Sequence, residues 1–172
     1  GYTGADLHDI AVDSQDPDIV YTIGRSGPFR SYNGGEDWDG IRYSIECSGE
    51  WYAVALNPTN RREVLISTEF DGTIHRSVDG GNSWRTVFRH PEAGHGGPQE
   101  SRHGFKDIAY APSDPGIIYA GMRKGRRSIG GDFLPKPSFG MYKSIDGGKT
   151  WSAINAGLST SFLNINAIAV HP

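Results

Sequence analysis

The sequence predicts an all-β chain, a β-propeller of four-stranded antiparallel blades, about three blades plus the first strand of a fourth. Three observations predict it. Glycine is abundant, 24 residues among 172, with ten prolines, and it has no three-residue period, which suits many turns joining short strands. An eight-residue stretch recurs three times, as SYNGGEDW from Ser31 to Trp38, SVDGGNSW from Ser77 to Trp84 and SIDGGKTW from Ser144 to Trp151. Ahead of each copy stands a pair of apolar runs split by a Pro/Asp turn: Asp9–Tyr21, Ala53–Leu65 and Asp107–Tyr119.

Each unit reads in the same order. An apolar run with period-two alternation predicts a first strand, the Pro/Asp turn reverses the chain, and a second apolar run predicts its partner. A loop, a short strand, the glycine-pair turn and a last strand beginning at Trp complete a four-stranded meander. No segment carries helical periodicity over eleven residues or more. A repeat of about 45 residues with four strands is the signature of a propeller blade, and such meanders bury their faces only by stacking around an axis. The predicted division is blade 1 over 1–50, blade 2 with a long connection over 51–104, and blade 3 over 105–164 with an inserted loop 122–139. A further first strand is expected over 165–172. Three blades and a strand do not close a ring, and an apolar strand left without its hairpin partner is an exposed edge. The remaining blades are therefore expected from the same polypeptide or from a partner chain.

Composition excludes several classes. Apolar residues make up 36% and charged residues 22%, with a net charge of -3, whereas general nucleic-acid binding wants a basic domain. No apolar run of about 18 residues exists, so no membrane span is expected. The single Cys47 rules out an internal disulfide framework and Cys-x-x-Cys metal chemistry. No metal and no cofactor are expected.

The glycine-pair turn itself reads as a folding device. A side chain at Asn33, Asp79 or Asp146 can accept backbone N–H groups, each bond worth roughly 1 kcal/mol net. Glycines there supply positive φ without steric cost. A calcium loop would need several carboxylates at alternate positions and a later Glu. A phosphate loop would need Gly-Lys-Ser/Thr opening a helix, but Thr150-Trp151 leads into a strand. Neither fits.

Ser144, Asp146, Gly148, Thr150 and Trp151 match Ser-x-Asp-x-Gly-x-Thr-Trp, the Asp-box or BNR repeat. The second copy has Ser77, Asp79, Gly81 and Trp84 with Ser83 in place of Thr. The first has Ser31, Gly35 and Trp38 with Asn33 in place of Asp and Asp37 in place of Thr. With the strand pairs, the chain resembles the Asp-box propellers of sortilin-type receptors, xyloglucanases and photosystem-assembly factors. That resemblance implies architecture over nearly all of 7–172, and it leaves function open among enzymes, receptors and scaffolds. It also implies a secreted, cell-surface or periplasmic location.

A meander places the Pro/Asp turns and the Asp-box turns on one face, and the second-to-third-strand loops and blade connections on the other. Both long insertions, Met122–Phe139 and Phe88–Gly104, therefore fall on the second face, where binding on a rigid scaffold is normally found. Arg123, Lys124, Arg126, Arg127 and Lys136 form a basic group in one insertion, and His95 and Arg102 lie in the other. These are the binding candidates, suited to a carboxylate, a sulfate, a phosphate or an acidic protein surface, against the alternative of solvated loop charges. His90, His95 and His103 match no zinc spacing and read as surface-loop residues.

Glycoside hydrolysis needs two carboxyl groups across the substrate. Glu69 and Asp71 are the catalytic candidates. The resemblance places Glu69 near where xyloglucanases carry a catalytic Asp, although the residue type differs, and blade 1 has Arg25 at that place. Asp71-Gly72 also reads as a hairpin turn. The Arg-Ile-Pro motif of sialidases and the Gly-x-Ser-x-Gly elbow are absent. The function expected is a non-catalytic binding or scaffold module taking a protein or glycan on its loop face, and the alternative is part of a glycoside hydrolase whose other catalytic residues lie outside this chain.

Overall fold

The computed structural model describes residues 6–42, 45, 50–68, 71–91, 104–122, 126–129, 132–135, 139–158 and 163–172. Every element among them is a strand. Blade 1 holds β1 (Leu7–Val12), β2 (Val20–Gly24), β3 (Gly27–Ser31) and β4 (Asp39–Gly40) in the sheet order β1-β2-β3-β4. Blade 2 repeats the order with β5 (Trp51–Asn57), β6 (Asn60–Thr68), β7 (Thr73–Ser77) and β8 (Arg85–Arg89). Blade 3 uses β9 (Phe105–Ala111), β10 (Asp114–Met122), β13 (Met141–Ser144) and β14 (Ser152–Ala153). All pairings are antiparallel.

Between β10 and β13 the chain forms a separate hairpin, β11 (Arg126–Ile129) with β12 (Asp132–Pro135), in the register Arg126↔Pro135 to Ile129↔Asp132. The insertion expected as a loop thus contains a two-stranded ribbon. A second difference concerns the segment expected as a fourth blade's first strand. Residues 163–172 carry no ladder pairing, because no second strand lies beside them among the described residues. They are nevertheless seated on blade 3: Ile165 N–H donates to the Met122 carbonyl at 3.2 Å, and Ile168 N–H to the Asp107 carboxylate at 2.5 Å.

Stacking follows from the two-residue period of a strand. In β6, Val64 and Ile66 face a core shared with Tyr21, Ile23, Ile41, Trp51 and Trp84. Leu65 faces the opposite way, into a core with Phe105, Ile108, Ile118, Met122 and Tyr142. In β5, Val54 joins the first core, and Ala53 and Ala55 the second. A blade buried on both faces therefore reads as a continuous apolar run, without the polar alternation of a half-exposed sheet. Fully burying each large side chain contributes about 1.5–3 kcal/mol.

The glycine-pair turns lock the third strand to the fourth. Ser144 Oγ donates to Asp146 Oδ1 at 2.8 Å and accepts the Gly148 N–H at 2.8 Å. Asp146 accepts Thr150 N–H at 2.9 Å on Oδ1 and Thr150 Oγ1–H at 2.6 Å on Oδ2. Ser77, Asp79, Gly81 and Ser83 repeat the pattern. These donors, with the Ser83 and Thr150 hydroxyls first, hold both carboxyls down at about 2. In the first turn donor and acceptor exchange places: Asn33 Nδ2 donates to Asp37 Oδ2 at 3.0 Å, and Asn33 Oδ1 accepts Asp37 N–H at 2.9 Å. The departure of this copy from the pattern is a compensated pair.

The tryptophans of these turns pack backwards onto the preceding blade. Trp84 is 8% exposed and its Nε1–H donates to the Ile41 carbonyl at 2.9 Å. Trp151 stacks on Phe88, centroids 5.8 Å apart. Trp38, in blade 1, is 40% exposed, on a blade that also exposes Leu7, Ile10, Val12 and Tyr32.

Candidate functional site

The first strands of adjacent blades pack against one another. Each starts at the face that carries the second-to-third-strand loops. There, the same position of the repeat supplies three residues that meet: His8 from β1, Tyr52 from β5 and Lys106 from β9. The His8 and Tyr52 rings stack at 4.5 Å with an interplanar angle of 11°, and Lys106 Nζ lies 4.0 Å from the Tyr52 ring centroid. His8 Nδ1 donates to the Trp51 carbonyl at 2.5 Å, which fixes the imidazole plane. A tyrosine held between an imidazole and an ammonium group is a rigid amphipathic element of the kind that ligands stack on or hydrogen-bond to.

One residue further along, Asp9 joins blade 1 to blade 2, and Asp107 joins blade 3 to residues 163–172. Asp9 Oδ2 accepts the Val54 N–H at 2.9 Å and Oδ1 its neighbour's Ile10 N–H at 2.8 Å. Asp107 holds the Ile168 N–H in the same way. Burial raises the Asp9 pKa above the usual carboxylate value, and the two backbone N–H groups oppose it. Between blades 2 and 3, where Ala53 has no carboxylate, Ser67 Oγ accepts the Ala53 N–H at 3.0 Å and donates to the Phe105 carbonyl at 2.7 Å.

Below the loop between β6 and β7 runs a buried hydroxyl–imidazole chain. Thr68 Oγ1 and Thr73 Oγ1 are 2.6 Å apart, Thr73 Oγ1 is 3.0 Å from His75 Nε2, and Thr86 Oγ1 is 3.1 Å from His75 Nδ1. Burial, with the Arg89 charge second, lowers the His75 pKa to about 4, so its ring is neutral at pH 7. Thr68 ends β6 and Thr73 begins β7, so this chain ties the two strand ends together.

Of the catalytic candidates, Glu69 lies outside the described residues. Asp71 is half-buried and makes no hydrogen bond or ion pair among the described residues. The place directly after the second strand is held by Arg25 in blade 1, whose Nε lies 3.5 Å from Glu50. Of the basic group, Arg126 and Arg127 fall on β11. Arg123, Lys124, Lys136, His95 and Arg102 lie outside the described residues, as does His103. His90 is corrected: it is 5% exposed, its Nε2 lies 2.7 Å from the Tyr142 hydroxyl, and its ring packs 4.1 Å from Phe139. It sits in the joint between blades 2 and 3, not on a surface loop. Among the described residues no group of three or more His, Cys, Asp or Glu stands close enough to hold a metal, and no helix is long and apolar enough to cross a membrane.

Sequence reasoning missed the His8–Tyr52–Lys106 cluster. Its signal was positional: the three residues share one column of the repeat, but differ in type, so matching like with like passes over them.

Fold and site together define a stretch of β-propeller with an aromatic–cationic cluster at the loop-face end of its first strands. No protein-family profile matches the chain. The chain is similar to a xyloglucanase of Hypocrea jecorina (strain QM6a), 26% identical over 155 residues, which is 83% of this chain and 17% of the relative. Among solved structures it is similar to the GH74 xyloglucanase from Xanthomonas campestris, with a TM-score of 0.60 and 20% identity over 90% of this chain and 24% of that one. It is also similar to YCF48 bound to D1 peptide, with a TM-score of 0.58 and 18% identity over 88% of this chain and 41% of that one. At these identities the two structures show the fold. The chain spans well under two thirds of each of these proteins.

Proposed function

We propose that this chain is a section of a glycoside hydrolase propeller of the xyloglucanase type, with its loop face turned to the glycan. The observation that carries the reading is the sequence match to a xyloglucanase along 83% of the chain. On this reading His8, Tyr52 and Lys106 present a sugar platform. A residue of the loop after β6, Glu69 or Asp71, supplies one of the two carboxyl groups, and the second comes from another part of the protein. One carboxyl protonates the glycosidic oxygen, and the other attacks the anomeric carbon or activates water. The three glycine-pair turns are read as Asp-boxes, and secretion goes with this activity. The test is release of reducing sugar from a panel of β-glucans by the intact protein and by Glu69→Gln and Asp71→Asn. Loss of at least a hundredfold in kcat for one variant, with glycan binding kept, supports the proposal; full activity in both variants refutes it.

A non-catalytic reading is favoured by one observation. Blade 1 carries Arg25, bound to Glu50, where blade 2 carries Glu69. A loop face that alternates arginine and carboxylate around the axis suits a protein or glycan ligand without hydrolysis. It would bind the glycan panel, or an acidic peptide, without turnover.

A further inference from the structure

On the opposite face, between blades 1 and 2, lies a pocket of about 370 Å³ whose walls include Tyr21, Tyr32, Arg61, Arg62, Asp79 and Asn82. Its carbonyl and carboxylate oxygens each hold at least one donor already. The Gly80 carbonyl at its edge accepts from Arg30 Nη1 at 2.5 Å and from the Tyr21 hydroxyl at 3.1 Å. Asp79 takes Ser77 Oγ–H and Ser83 N–H on Oδ1, and Ser83 Oγ–H on Oδ2. Asn82 Oδ1 faces Arg30 Nη1 at 3.4 Å. Several of its donors are not filled. The exposed Arg62 guanidinium has no partner among the described residues, and neither has the Tyr32 hydroxyl. Arg61 gives one nitrogen to Asp16, at 3.1 Å, and keeps the rest of its fork. Arg30, which lies 4.6 Å from the Tyr32 ring and is only 9% exposed, has an Nε–H that is buried and unpartnered.

A pocket rich in spare donors and short of spare acceptors selects a ligand that only accepts. We infer that this pocket is an oxyanion site, taking the phosphate of a phosphate ester or the carboxylate of a small acid, with Arg62 and the Tyr32 hydroxyl as its ligand-binding groups and Arg61 flanking. The guanidinium fork matches either anion in a two-point contact. The site is independent of the loop face and of any hydrolysis there.

Calorimetric titration of the intact protein, in low-salt buffer free of phosphate and sulfate, tests it with inorganic phosphate in one arm and acetate in the other. Saturable binding of either anion is expected, and the tighter arm identifies the ligand class. Arg62→Gln should weaken that binding about tenfold, the effect of losing one charged hydrogen bond. Because Arg62 is exposed and unpaired, its thermal midpoint should not change. Tyr32→Phe keeps the ring beside Arg30 and should weaken binding by a smaller factor. Glu69→Gln should leave anion binding intact, which separates this site from the proposed glycan site. Absence of saturable binding in both arms, or equal affinity in Arg62→Gln, would overturn the inference.

Discussion

Replacing Asn33 by Asp isolates what the first glycine-pair turn owes to its exchanged pair. The wild-type turn joins Asn33 Nδ2 to Asp37 Oδ2 at 3.0 Å, where the third turn joins Thr150 Oγ1 to Asp146 Oδ2 at 2.6 Å. Asn33→Asp removes the donor, a loss of about 1 kcal/mol. It also sets two carboxylate oxygens near that same separation, a repulsion of about 1 kcal/mol at the dielectric of water. At pH 7 the variant should therefore lose about 2 kcal/mol, somewhat less in high salt. Adding Asp37→Thr rebuilds the arrangement of the third turn and should bring stability back to within about 0.5 kcal/mol of wild type, the usual additivity margin. Urea titration of the wild type, both single variants and the double variant closes the cycle. Repeated at pH 3.5, the Asn33→Asp penalty should shrink, because one carboxyl binds a proton and becomes a donor. A stable Asn33→Asp, or a double variant no better than that single, would refute the account of this turn as a compensated pair.

Gly81 and Gly148 occupy the same place in two turns at φ +92° and +82°. A Cβ at 81 would stand 2.6 Å from Ile41 Cδ1, but at 148 it would meet Ile118 Cδ1 at 3.4 Å. Both Ala variants should lose about 1–2 kcal/mol to left-handed strain, and Gly81→Ala about 1–3 kcal/mol more from overpacking; equal urea midpoints would contradict this. Trp84→Ala should cost about 3–5 kcal/mol, and Trp38→Ala clearly less, given its exposure; thermal denaturation of the pair checks the order. The folded pKa of His75 near 4 lies below the ordinary value of 6.5. The unfolded chain therefore takes up its proton first as pH falls. The contribution of His75 is complete above pH 6.5 and is lost between 6.5 and about 4, on the order of 3 kcal/mol in all. His75→Gln should remove that part of the acid sensitivity in urea titrations at pH 7, 5.5 and 4.5.

The strands and turns were legible because they repeat as rows: the apolar pairs, the glycine pair and the tryptophan each have a local physical cause. The division into two faces followed from the meander alone. The hairpin inside the third blade's insertion left a readable sign, Gly130-Gly131 between Ile129 and Asp132, a two-residue turn pattern overshadowed by the surrounding basic residues. His90 was not readable, since its partner Tyr142 stands 52 residues away and the adjacent Pro91 suggests a loop. The His8–Tyr52–Lys106 cluster and the donor-rich pocket share another obstacle. Both are assembled from unlike residues on two or three blades, so that only the stacking of the blades brings them together.

The carboxylates of Asp9 and Asp107 give the stack a direction. In each case the acceptor sits in one blade and the amide that it holds lies further along the chain, in blade 2 for Asp9 and in residues 163–172 for Asp107. A joint of this kind has a head and a tail, so a duplicated blade fits its neighbours in only one orientation, and it fits without altering them. Where the acid is replaced, at Ala53, the Ser67 hydroxyl spans the same gap. What inheritance must preserve at the seam is thus a hydrogen bond across a fixed gap rather than a residue, since Ser67 spans it in the opposite sense, as donor to the Phe105 carbonyl, which leaves individual blades free to diverge on the surfaces where ligands are chosen.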